Sequence, residues 1–261
     1  MVHSFTRRLA PAALLALGAT VSGCGYVGDW GEVRGVPLAD LDTSGTPPTK
    51  LELAGPDRLL VTEGGDLAIT VEGDSQAAEA LKFDRQGDRL TIARDQKIFD
   101  GRGEAIVRVT MPSASTLGIA GSGTIEADTV ASDAELEIAG SGDINVGTIT
   151  ADRLEVEIAG SGEVTASGSA AVLSVEIAGS GDVKFANLSA DTVTVEIAGS
   201  GDVELASNGT VDVEIAGSGD VIVTGSATCS VDAAGSGSLT CKPAATALAE
   251  AGASGADTAA E

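Results

Sequence analysis

Histidine is all but missing from this chain: the one copy, His3, lies in an N-terminal leader, so the remainder carries no imidazole. That excludes Ser-His and Cys-His nucleophile systems and histidine-ligated zinc sites downstream of the leader. Aromatic residues make up 2% of the chain and hydrophobic residues 43%, so the core has to be built from aliphatic side chains. Positive charge is scarce too, with 15 Lys and Arg against 39 Asp and Glu and a net charge of −24. Over residues 119–240 the imbalance is 20 acids against Arg153 and Lys184. Such a surface repels a phosphate backbone, and no Walker-type phosphate loop is present, so neither a nucleic-acid partner nor a cofactor is expected. The apolar stretch of residues 9–21 falls short of the roughly 20 residues that a membrane-spanning helix needs.

What that stretch does fit is an export signal, because Arg7 and Arg8 precede it. It ends in Val21-Ser22-Gly23-Cys24, which resembles the lipobox of bacterial lipoproteins. The resemblance implies that residues 1–23 are a signal peptide that is removed and that Cys24 becomes the lipid-modified first residue, anchoring the protein to a membrane. Gly25, and not Asp, follows the cysteine, which in proteobacterial sorting favours the outer membrane. Residues 24–49 shift to Gly, Pro, Thr and Asp, with Pro47-Pro48 before the first strand signal, and read as a flexible tether.

The dominant feature is a repeat. Ile-Ala-Gly-Ser-Gly ends at Gly123, Gly142, Gly162, Gly181, Gly201 and Gly219, and Ala-Ala-Gly-Ser-Gly ends at Gly237. Counted between first glycines, from Gly121 to Gly235, the intervals are 19, 20, 19, 20, 18 and 18 residues, a period that indicates a solenoid. Four residues before each first glycine stand Leu117, Leu136, Val156, Val175, Val195, Val213 and Val231; two before it stand five further isoleucines after Ile119, then Ala233. Four residues after it come Ile125, Ile144, Val164, Val183, Val203, Val221 and Leu239, with polar residues or alanine between the apolar ones. Period-two alternation means strand. A rung this short cannot bury its apolar face alone, so rungs must stack in parallel about 4.8 Å apart. The fold class is therefore all-β, a parallel β-helix-like solenoid of about seven rungs over residues 116–242. The Gly-Ser-Gly reads as a steric corner, since a phosphate cradle would need a helix start. Val130, Ile149 and Leu188 suggest a short third inward face, which Asn208 and Ser226 interrupt in the shorter rungs.

Stacking would turn the acids into ladders. One comprises Glu137, Glu157, Glu176, Glu196, Glu214 and Asp232, three residues before the corner; the other comprises Asp143, Glu163, Asp182, Asp202 and Asp220, three after it. Their plain reading is a solvated face that opposes aggregation, and the sharper one is weak capture of calcium by carboxylate oxygens. Crowding of like charges should raise the pKa values of these carboxylates. Cys229 and Cys241 lie six residues either side of Gly235 on inward tracks, where they form either a disulfide or two buried thiols. A bridge requires the two faces to approach more closely than the usual 10 Å or so between packed sheets.

Residues 50–115 carry irregular strand signals without a glycine repeat and read as a cap over the N-terminal end of the solenoid. Residues 243–261 are rich in Ala, Gly, Thr, Ser and acids and read as a disordered tail. The order of Leu53-Ala54-Gly55-Pro56, Val109-Thr110-Met111-Pro112 and repeated Gly-Ser-Gly-Asp resembles the head GIN domain family, described as putative auto-transporter adhesins, over about residues 50–241. That resemblance implies a parallel β-helix-like fold in a bacterial envelope protein, and it supplies no catalytic residues. The reading is a non-catalytic, lipid-anchored envelope protein presenting an acidic surface to an envelope glycan or protein. The alternatives are a glycan- or cation-binding module and, after it, a polysaccharide-active β-helix enzyme. The enzyme would have to use Arg153 or Lys184 beside the acids, yet no long loop interrupts residues 121–235.

Overall fold

In the computed structural model, residues 35–95 and 103–242 are described. Cys24, residues 1–23, which read as a signal peptide, and residues 243–261 lie outside them. Chain order begins with β1 (Lys50–Gly55), β2 (Arg58–Glu63), β3 (Ala68–Gly73), a short helix α1 (Ser75–Glu79), β4 (Leu81–Gln86), β5 (Arg89–Arg94) and β6 (Ala105–Met111). The repeat region follows as β7 (Ala114–Gly121), β8 (Thr124–Ala127), β9 (Val130–Gly140), β10 (Asp143–Gly160), β11 (Glu163–Gly179) and β12 (Asp182–Gly199). It closes with β13 (Val203–Gly217), β14 (Asp220–Thr224), β15 (Thr228–Gly235) and β16 (Ser238–Lys242).

The fold is a parallel β-solenoid in which every column of the repeat aligns residue for residue. Leu117 pairs with Leu136, Leu136 with Val156, Val156 with Val175, and so on to Val231. After the corner, Ile125, Ile144, Val164 and Val183 form the second track. Both tracks are buried through the middle of the stack, as alternation requires when one side of a strand faces a shared core. The short third face is also present, with Val130, Ile149 and Leu188 buried. Between β12 and β13 the pairing shifts at residues 185/189 and again at 190/192, which absorbs the shortening of the later rungs.

The glycine corner has a specific cause. Gly140 takes φ +137°, and a Cβ there would stand 2.2 Å from the carbonyl oxygen of Gly121 in the rung beneath. A Cβ on Gly142 would stand 2.5 Å from the Gly123 carbonyl oxygen and 2.7 Å from the Ile119 side chain. The first glycine is thus obstructed by the backbone of the preceding rung, and the second by that backbone together with a buried isoleucine. In return, the serine between the two glycines donates its amide to the first glycine's carbonyl one rung back, at 2.8 Å from Ser141, Ser161, Ser180, Ser200, Ser218 and Ser236.

The irregular region is a cap, as its composition suggested, but its first strand is also a rung. β1 pairs in parallel with β7, placing Leu51 on Leu117, Leu53 on Ile119 and Gly55 on Gly121. β2 pairs with β8, placing Leu59 on Ile125. The outermost strands then reverse direction: β4 is antiparallel to β5, and β3 antiparallel to β6. Within the segment read as a tether, residues 35–49 make contacts with the cap. Val36 bridges Phe83 in both directions, and the Arg85 guanidinium donates to the carbonyls of Asp42, Ser44 and Thr46.

Inside the cap the corner is rebuilt from charge. Asp57 stands where the second glycine would be, since its neighbour Arg58 pairs with Thr124, and Arg94 follows Ala93, the partner of Ala54. The two form a buried ion pair, their side chains 0% and 2% exposed, with Arg94 Nε 2.9 Å from Asp57 Oδ2. Asp57 Oδ1 also accepts from the Ala105 amide at 2.8 Å, and Arg94 donates to the Gly103 carbonyl at 3.1 Å. Removing one partner of a buried pair costs far more than the pair contributes, because the other charge stays desolvated. Asp57→Ala should therefore lower unfolding free energy by about 3 to 5 kcal/mol, measured by urea denaturation.

Candidate interaction face

The outward side of the pre-corner strands is the most regular chemical surface of the molecule. Glu137, Glu157, Glu176, Glu196, Glu214 and Asp232 pair successively, so the first acidic ladder exists as a column. Glu52 extends it by way of Gly118. Two residues along each strand runs a parallel column of exposed alanines, among them Ala159, Ala178, Ala198 and Ala216. Between the columns lies a shallow open groove of about 350 Å³, lined by Glu176, Glu196, Glu214, Asp232 and the alanines beside them.

The ladder is not uniform. From Glu157 to Asp232 its members are exposed, whereas Glu137 is half-buried over the gap at Gly118, where an added Cβ would lie 3.9 Å from its Oε2. Burial, then a hydrogen bond with Glu135 and repulsion from Glu135, Glu157 and Glu52, raises the Glu137 pKa from 4.5 to about 7. Glu157 is also raised, again first by burial and then by Glu176, Glu155 and Glu135. Both shifts run in the direction expected from like-charge crowding, but desolvation outranks crowding as the cause.

The second ladder does a different job. Asp143 accepts a hydrogen bond from the Glu163 amide at 3.2 Å, Asp182 from Asp202 at 3.1 Å, Asp202 from Asp220 at 2.9 Å and Asp220 from Ser238 at 3.1 Å. Each aspartate thus satisfies a backbone donor of the next rung just after the corner. Glu163 is too long for this geometry and pairs with Lys184 instead. That places Lys184 as a structural counter-ion, and the exposed Arg153 lies between Asp133 and Val172 in the stack.

Among the described residues no group of three or more His, Cys, Asp or Glu side chains has the arrangement of a metal site, so neither ladder offers a built calcium cage. Cys229 and Cys241 align with Val211 and Val223 and are joined as a disulfide, with Cα atoms 6.8 Å apart. Among the described residues no helix is long and apolar enough to cross a membrane.

A family model described as putative auto-transporter adhesin, head GIN domain, matches residues 47–227. The chain belongs to this family. No curated protein matches it. Solved structures share its fold: a putative adhesin from Bacteroides fragilis has a TM-score of 0.69 at 19% identity over 76% of this chain and 93% of that one. A putative lipid binding protein from Parabacteroides distasonis has a TM-score of 0.59 at 22% identity over 76% and 93%. A putative adhesin from Parabacteroides merdae has a TM-score of 0.56 at 17% identity over 77% and 93%. The head GIN match ends at residue 227, before the rung that holds the disulfide.

Sequence reasoning missed the rung at β1 and the Asp57–Arg94 pair. The signal was available: Leu51-x-Leu53-Ala54-Gly55 follows the spacing of Leu117-x-Ile119-Ala120-Gly121.

A carboxyl whose folded-state pKa is raised binds more protons in the native than in the unfolded chain. For Glu137 the penalty is full above about pH 7 and disappears as the pH falls towards 4.5. Glu137→Gln should therefore melt about 2 to 4 °C above the parent at pH 8, the shift expected for roughly 1 kcal/mol after allowing for solvent screening. The two melting curves should converge near pH 4.5, which differential scanning calorimetry would show.

Proposed function

We propose that this head GIN protein is a non-catalytic component of the bacterial envelope that presents its acidic ladder face to a partner, in an adhesin-like role. The observation that carries the reading is the first ladder itself: carboxylates repeated at the rung spacing on a flat face, beside a column of methyl groups. Repetition of one identical environment suits avid contact with an extended partner more than turnover at a singular point. The partner should offer cationic or hydroxyl-rich groups at an envelope surface, either glycan or protein. Cys24, through lipid, would hold the protein at the membrane, with the outer membrane as the expected location.

Lipid attachment and surface contact are separable. Cys24→Ala should abolish incorporation of labelled palmitate and release the protein from the membrane fraction. Glu157→Lys, Glu176→Lys and Glu196→Lys combined should leave anchoring intact and reduce partner binding or surface attachment at least tenfold. Unchanged attachment by the charge-reversed protein, together with polysaccharide cleavage by the purified parent, would replace this reading with an enzymatic one.

A further inference from the structure

The rung formed by β15 and β16, the last among the described residues, is held differently from the others. Its backbone ladder is intact: β15 pairs with β13, β16 with β14, and the Ser236 amide donates to the Gly217 carbonyl at 2.8 Å. What this rung lacks is packing. Its inward residues are Cys229, Val231, Ala233, Leu239 and Cys241, none of them buried, whereas the residues they pair with, Val211, Val213, Ile215, Val221 and Val223, are all at most 2% exposed. Val231 is 49% exposed.

A covalent bond stands in for the missing contacts. The columns that reach Cys229 and Cys241 are filled in the preceding rungs by buried apolar pairs, Val193 with Leu205 and Val211 with Val223. In this rung the two positions are joined by the disulfide, which links the start of β15 to the end of β16 across the corner. Such a link limits the freedom that the rung would gain on leaving the stack, and so opposes local opening. The same rung also bounds the acidic face. Asp232 and Ala234 line the groove beside Glu214 and Ala216, so the groove reaches this far only while β15 stays in place.

We propose that the Cys229–Cys241 bridge is a redox latch on this rung: oxidised, it holds β15 and β16 on the stack and keeps Asp232 and Ala234 in the groove, and reduced, it lets the rung open. Unlike the valine pairs, the bridge is within reach of a reductant, since Cys241 is exposed and Cys229 half-buried. A dithiol supplies the two electrons. Its thiolate attacks one bridge sulfur and the other cysteine leaves as thiolate; the second sulfur of the dithiol then displaces the first cysteine. The products are two thiols on this chain, which take up the two protons the dithiol gives up, and a disulfide in the former dithiol. The consequence for partner contact rests on the role proposed for the acidic face, whereas the latch itself does not.

Hydrogen exchange by mass spectrometry tests this on the full chain, with dithiothreitol as the dithiol and β10 to β12 as the internal reference. Amides of β15 and β16 should exchange at least tenfold faster after reduction, while those of β10 to β12 keep their rates. Cys229→Ser with Cys241→Ser should exchange at the fast rate with or without dithiothreitol, which assigns the effect to this bridge. Unchanged exchange of β15 on reduction overturns the latch, as does a bridge that dithiothreitol opens only once urea has unfolded the protein. Equal acceleration throughout β10 to β16 overturns it too, because the bridge would then staple the whole fold. No partner takes part in this measurement, so failure of the latch and failure of the contact role are told apart.

Discussion

The structure depends on how closely one rung lies upon the next at the glycine corner. There the carbonyl of each first glycine lies directly beneath the following serine amide, at 2.8 Å, and the space a Cβ would need is already filled. This contact fixes the register along the whole stack, and a shift of one residue would exchange inward for outward side chains in every strand. Once register is fixed, any residue repeated at one offset becomes a column. Valine and isoleucine columns become the core, and the glutamate and alanine columns become a face.

The post-corner aspartates reinforce the same contact. Like charges in a shared column repel, yet Asp143, Asp182, Asp202 and Asp220 each accept from a backbone amide of the next rung. Each such hydrogen bond ties one rung to the next. The pre-corner glutamates from Glu157 to Glu214 instead carry exposed side chains. Thus two ladders of the same sign, on either side of one corner, divide between holding rungs together and facing outward.

Period, strand direction and inward tracks were legible in the sequence because identical offsets recur in every rung from Gly121 to Gly235. The rung at β1 was hidden because a long excursion through β2 to β6 separates it from its neighbour β7, and because Asp57 replaces the second glycine that marks the others. The Asp57–Arg94 pair joins the turn after β1 to the end of β5, which adjoin in space but not in sequence, so no local pattern announces it. Likewise, the raised pKa of Glu137 depends on its burial and on Glu135, Glu157 and Glu52 around it, a property of stacking and not of the residue alone. The distinction between Asp182 and Glu163 turned on one methylene of reach, which composition does not reveal.

The measurement that bears most directly on the corner is the stability of Gly179→Ala against Ser180→Ala, by urea denaturation of otherwise identical protein. Gly179 takes φ +139°, and its added Cβ would stand 2.2 Å from the Gly160 carbonyl oxygen, whereas the Ser180 side chain is exposed. If rung-to-rung contact at the glycines sets the stack, the first substitution should cost about 3 kcal/mol or more and the second less than about 0.5 kcal/mol. Equal, small effects from both would contradict it.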